Sequence, residues 1–184
     1  MSFKRSLITI VFLAAQLVFA SEHTPVYCLN ASHDLEALAF CKQTPKSYVV
    51  IIWPRGFNHI ETIIKTLNHH GTVAYVKEFK LTKPGSFLLY RHLHLHMSLK
   101  SAQHYFKSYI PSTAIEPIDV AAIVLYTDKS LIEIQNVKQQ MRTIIGCGYQ
   151  SLHINDFQHQ TIKAAELVFN NHELKKINRK KTVF

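Results

Sequence analysis

The chain has 184 residues, a formal net charge of +9 at pH 7, 47% hydrophobic residues and 12 histidines. Its length supports one substantial core, and neither a repeat period nor a low-complexity linker breaks it into an array. The basic balance fits nucleic acid, an anionic membrane or phosphorylated small molecules, but the charges are scattered, which argues against specific nucleic-acid recognition.

In chain order, Lys4-Arg5 form a positive n-region, Leu7 to Phe19 an apolar h-region, and Val18-Phe19-Ala20 a small-residue cleavage signal. The pattern predicts a signal peptide over 1–20 and an exported protein, periplasmic or secreted, after cleavage near Ala20. The apolar run is short for a membrane span, so no stable membrane anchor is expected. Residues 21–46 read as a peripheral arm with a short helical stretch from Asp34 to Cys41. Of the three cysteines, Cys28 and Cys41 either close a small loop in an oxidising compartment or stay reduced and partly buried beside Cys147. Cys147 lies six residues before His153, but no third group or oxyanion loop completes a thiol nucleophile there.

From Ser47 to Trp53 the residues are almost continuously apolar and β-branched, as in a buried strand. Pro54-Arg55-Gly56 breaks the run. Phe57, Ile60, Ile63, Ile64 and Leu67 then recur at helical spacing through His70, and Gly71 ends that helix. Thr72 to Leu81 alternates as a second strand. Lys83-Pro84-Gly85 reads as a turn, followed by two helices over Ser86–Met97 and Ser98–Ile110. On the first of these, His92 and His96 would share one face a turn apart, a spacing that suits zinc or copper. No carboxylate or cysteine lies near them, and the same alternation marks ordinary amphipathic surfaces, so no metal site is assigned.

Asp119 to Tyr126 is another buried strand pattern. Ser130 caps a helix through Ile145, with Leu131, Ile134, Val137, Met141 and Ile145 on its apolar face. Lys138 and Arg142 are four residues apart on that helix; Arg142 is placed to meet an anion, and Lys138 reads as solvated surface. A short last strand precedes His153, and Asp156 is expected to N-cap a helix over Phe157–Phe169. The run Lys175-Lys176 and Arg179-Lys180-Lys181 lacks apolar periodicity and reads as a frayed, basic tail, assigned to 179–184. The succession predicts an α/β (α+β) fold: a ferredoxin-like βαββαβ antiparallel sheet with helices on one face.

His153 stands two residues before Asn155 and three before Asp156, at the start of a helix, where free N–H groups and the helix dipole welcome an anion. The plain alternative is a structural histidine in a turn. The sequence around it adds a further pattern: Met141-Arg142 and Gly146, then His153 and Asp156, then Val168-Phe169, then Glu173-Leu174, with Val49 to Gly56 at the front. In order and spacing these resemble the nucleoside diphosphate kinase family, over about Ser47 to Asn178, so 47–178 is read as a nucleoside diphosphate kinase-like domain.

The resemblance implies that His153 is the nucleophile, passing phosphate between nucleoside diphosphates and triphosphates through a phosphohistidine, with Mg2+ carried by the nucleotide. It also implies that the helical pair over 86–110 clamps the nucleotide, with Tyr90 and Arg91 as counterparts of the clamping residues. From the residues themselves, Arg142 can bind phosphate at two points, Asn155 can add donors, and Arg55 can add charge from the opposite side. This chain departs from the family's pattern in that the strand-end lysine falls on Trp53, its acidic neighbour on Arg55, the loop glycine and serine on Ile154 and Asn155, and the imidazole-orienting glutamate on Ala164. The expected partner is a nucleotide or related phosphorylated small molecule, and a homo-oligomer is compatible with the family. A catalytically degenerate exported binding protein on the same scaffold is the alternative.

Overall fold

A computed structural model describes residues 24–110 and 114–179; the expected signal peptide lies outside them. Among the described residues, five strands form one sheet: β1 (Val26–Tyr27), β2 (Ser47–Ile52), β3 (Thr72–Leu81), β4 (Ile118–Tyr126) and β5 (Leu152–Ile154), in the order β1-β3-β4-β2-β5. β1 lies parallel to β3, and every other pairing is antiparallel. The described residues also form eight helices around the sheet: α1 (Ala31–Gln43), α2 (Pro54–Phe57), α3 (Ile60–Asn68), α4 (Lys83–Leu93), α5 (Leu99–Tyr109), α6 (Leu131–Ile145), α7 (Gln158–Val168) and α8 (Asn171–Arg179), with a 3-10 turn at Gly148–Gln150. None of the described helices is long and apolar enough to cross a membrane.

All six residues of β2 are buried, because the sheet is covered on both faces and not on one as expected. Val49, Ile51 and Trp53 enter one core with α1, α4, α5, α7 and α8; Tyr48, Val50 and Ile52 enter the other with α3 and α6. A strand buried on both sides has no polar face to alternate, which is why this one reads as an unbroken apolar run.

Local chemistry sets the helix ends. Ser130 and Glu133 form a reciprocal capping box at the start of α6, and Gly146 closes it in the left-handed region at φ 71°. Lys83, Pro84 and Gly85, expected as a turn, are the first turn of α4. Thr82 caps Gly85, and proline is pre-organised at that position. α4 ends at Leu93, short of the expected Met97. The expected helix over 57–70 forms only from Ile60 to Asn68, as α3, and Pro54-Arg55-Gly56, expected as a break, form the short helix α2 with Phe57. Gly56, in α2, approaches β5 so closely that a Cβ there would meet the Ser151 carbonyl oxygen at 2.5 Å.

Two segments expected at the periphery are built into the fold. α1 buries Ala37 and Cys41, and Asp34 pairs with Lys77 of β3 at 2.8 Å with both side chains nearly dry. α8 buries Leu174 and Ile177, and its Asn178 side chain accepts from the Thr82 N–H and donates to the Lys80 carbonyl. Lys175, Lys176 and Arg179 of the expected basic tail are thus helical, while 180–184 lie outside the described residues. Cys28, Cys41 and Cys147 are free thiols, and burial pushes Cys28 and Cys41 up to about 12.

Candidate functional site

β5 is an edge strand three residues long, paired on one side with β2 in the register Val50–Ile154, Ile51–His153, Ile52–Leu152. Its free edge would expose the Leu152 and Ile154 carbonyls. α6 covers that edge: Arg142 Nη2 donates to the Leu152 oxygen at 3.2 Å, and Lys138 Nζ donates to the Ile154 oxygen at 2.9 Å. The i, i+4 spacing of the two cations matches the two-residue step between those carbonyls. Between them His153 projects with Ile51 onto the opposite side of the sheet from Val50 and Ile52, toward α4 and α5.

There His153 lines a cleft of about 560 Å³, with Tyr90 and His94 of the α4 region, Tyr109 of α5, and Lys138 and Arg142 of α6. The cleft also reaches His96, Tyr105, Tyr149, Asp156 and Gln160. His94 follows the last turn of α4, its N–H still bonded to the Tyr90 oxygen at 3.1 Å, and this directs its ring against His153. The two imidazole centroids are 4.7 Å apart at 79°, and the Tyr90 ring lies 4.4 Å from His94 on another side.

Electrostatics follow from that enclosure. His153 is only 6% exposed, and burial first, then His94, Lys138 and Arg142, holds it well below the ordinary histidine range. Burial, then His96 and the two cations, lowers His94 to about 4, while Asp156 pulls it upward. Both rings are therefore neutral at pH 7. Tyr90 is pushed up to about 12 by burial and stays a phenol. Lys138 is lowered by burial and pairs with the Asp156 carboxylate at 3.4 Å. Arg142 leaves its Nε without a hydrogen-bond partner among the described residues and lays its guanidinium 4.4 Å from the centre of the Tyr149 ring.

Four of the expected site residues meet here: His153, Arg142, Tyr90 and Asp156. Asp156 does not cap a helix. Phe157 takes the N-cap position of α7, and Asp156 turns to Lys138 while its own N–H donates to Gln160 Oε1 at 3.0 Å. His153 accordingly lies within β5 and not at a helix mouth. The structure does not bring in the other three. Asn155 is buried at the wall of an adjoining hollow. Arg55 is exposed on α2, outside the cleft. Arg91 donates to the Met97 oxygen at 2.8 Å and braces the turn between α4 and α5.

Lys138, His94 and Tyr109 are cleft residues that the sequence reading did not assign to the site. The i, i+4 relation of Lys138 to Arg142 was the available signal; for His94 and Tyr109 only the end of α4 and its packing against α5 reveal their place. Because α4 stops at Leu93, His92 and His96 are not one helical turn apart, and among the described residues no group of three metal-binding side chains is found. A magnesium ion carried by nucleotide phosphates needs no protein cage, and one carboxylate, Asp156, borders the cleft.

A neutral imidazole is a nucleophile, a lysine and an arginine beside it neutralise phosphate charge, and tyrosines give flat apolar walls. Such a cleft can hold a phosphoryl group next to a nitrogen lone pair. No protein-family model, curated protein or solved structure matches this chain.

Proposed function

We propose that the cleft binds the phosphate of a nucleotide or related phosphorylated small molecule and that His153 accepts its terminal phosphoryl group, in the manner of nucleoside diphosphate kinases. The observation that carries this reading is the neutral His153 ring in a cleft bordered by Lys138 and Arg142. A lone pair of the imidazole attacks phosphorus, an N–P bond forms, and the P–O bond to the leaving diphosphate breaks with its electron pair going to that oxygen. No proton has to be removed first, because the ring is already neutral. An acceptor's terminal phosphate oxygen then attacks phosphorus, and the N–P electrons return to the ring. Lys138 and Arg142 neutralise charge on the transferring group, and Mg2+ arriving with the nucleotide supplies further charge neutralisation.

The finer fold assignment is proposed on the same footing. β2 through β5, taken alone, are ordered β3-β4-β2-β5 and wholly antiparallel, which supports a ferredoxin-like βαββαβ unit with α4 and α5 inserted before β4. Export after cleavage near Ala20 is proposed from the sequence pattern.

A second reading keeps the anion site without the chemistry. It is favoured by Ala164, which stands where the family carries the imidazole-orienting glutamate, and by Glu166, which instead pairs with Lys42 at 2.8 Å. Phosphate exchange separates the two: γ-labelled ATP with unlabelled GDP and magnesium should yield labelled GTP with the wild type and none with His153→Ala. Nucleotide binding without exchange would establish the second reading.

A further inference from the structure

The cleft adjoins a second hollow. Leu93, His96 and Gln160 are shared with a second hollow of about 220 Å³ that includes Asn155, His159 and Lys163. Asn155 directly follows β5, is 1% exposed, and bonds through its N–H to the Val49 oxygen at 3.4 Å. Neither its Oδ1 nor its Nδ2 has a hydrogen-bond partner among the described residues. A buried amide with both ends unmet is a standing cost that an apolar residue of the same shape would remove. Its neighbours in the same stretch are paired: the Ile154 oxygen receives Lys138, and the Asp156 N–H reaches Gln160. Turned either way, the Asn155 amide offers one donor and one acceptor side by side.

We infer that Asn155 hydrogen-bonds the donor–acceptor edge of a nucleobase carried by the ligand whose phosphate sits between Lys138 and Arg142. This rests on the phosphate reading of the cleft and names its substrate class as nucleotide. Adenine presents an amino donor beside a ring-nitrogen acceptor, a geometry that an asparagine side chain meets with two bonds. Leu93, His96 and Gln160 line both hollows, so the two adjoin, and the inferred ligand extends from one into the other. His159 and Lys163 add polar groups at the base end. Bonds formed by the ligand satisfy an amide that folding leaves unsatisfied.

Calorimetric titration of the full chain with ribose 5-phosphate, adenosine and the four common nucleoside monophosphates tests the inference. AMP should bind at least ten-fold more tightly than ribose 5-phosphate. Asn155→Leu should erase that advantage while leaving ribose 5-phosphate affinity unchanged and the thermal midpoint equal or higher. Asn155→Asp, which presents acceptors alone, should weaken AMP and favour GMP, whose adjacent ring N–H and amino group are both donors. A swap of base preference is an effect that a merely structural asparagine would not produce. If the wild type binds AMP no better than ribose 5-phosphate, or if Asn155→Leu keeps the advantage, the inference is overturned and the phosphate site stands. If ribose 5-phosphate fails to bind while adenosine binds in an Asn155-dependent way, base recognition stands and the phosphate reading falls. If neither ribose 5-phosphate nor adenosine binds, both are wrong.

Discussion

The imidazoles of His94 and His153 meet edge to face at 4.7 Å, one held by the end of α4 and the other by β5. The contact joins the helical pair to the sheet at the point where the cleft is deepest in titratable groups. Two rings so close, beside Lys138 and Arg142, pack well only while both are neutral.

This makes the fold acid-sensitive. Both histidines have folded-state values below the ordinary 6.5, so the unfolded chain binds more protons as pH falls. Stability is full above pH 6.5 and is lost as pH drops from there toward about 4, where His94 protonates in the folded state. The loss attributable to His94 is about 3 kcal/mol. Thermal unfolding between pH 7.5 and 4.5 should show the midpoint falling, and His94→Phe, which keeps a ring but removes the titration, should flatten that fall. An equal slope in the variant would remove His94 from the account.

Arg142 has two tasks, covering the edge of β5 and facing the cleft, and they can be separated. Arg142→Met loses the bond to the Leu152 oxygen and the stacking on Tyr149, so it should cost about 1–3 kcal/mol in denaturant unfolding. It should also weaken inorganic phosphate or nucleotide binding by ten-fold or more. Arg142→Lys restores the charge but not the planar fork, and should recover only part of the affinity. Lys138→Met should weaken binding similarly while leaving Asp156 without its cation.

Gly56 controls where β5, and so His153, can lie. A methyl group at that position meets the Ser151 oxygen, two residues before the histidine. Gly56→Ala should therefore destabilise by about 1–3 kcal/mol and lower nucleotide affinity. Gly146→Ala provides the contrast: its cost comes from the left-handed φ of 71° with no contact near the added Cβ, so binding should be spared after stability is allowed for.

The Asp34–Lys77 pair tests whether the N-terminal segment belongs to the folding unit. Its side chains are 5% and 7% exposed, and Lys77 also donates to Asn171 of α8 at 3.2 Å. Breaking it with Asp34→Ala leaves a buried cation and should cost about 3–5 kcal/mol, whereas Asp34→Leu with Lys77→Met should cost much less. Equal, negligible effects would mean that α1 is dispensable.

What the sequence made legible follows from local rules. The β-branched run of β2, the alternation in β3 and the capping box at Ser130 each reveal an element from neighbouring residues alone. α8 was hidden because Lys175, Lys176 and Arg179 dominate its composition, while two residues, Leu174 and Ile177, make its buried contacts. α1 escaped in part because its apolar residues do not gather on one face, its burial being limited to Ala37 and Cys41 with the ion pair at Asp34. At the site, His153 and Arg142 stood out by residue type and spacing. Lys138 did not, because its partners are the carbonyl of Ile154 and the carboxylate of Asp156, on a strand end and loop 16 and 18 residues away. Asp156 misled for the same reason: its residue type suits an N-cap, and a cation from another helix claimed it.

The measurement closest to the central claim is direct labelling of the full chain with γ-labelled ATP or GTP and magnesium, followed by acid and base treatment. The account predicts label that acid removes and base does not, located on His153 and absent from both His153→Ala and an Arg142→Met protein of confirmed fold. A well-folded wild type that takes no label across a range of nucleotide concentrations would contradict phosphotransfer through His153.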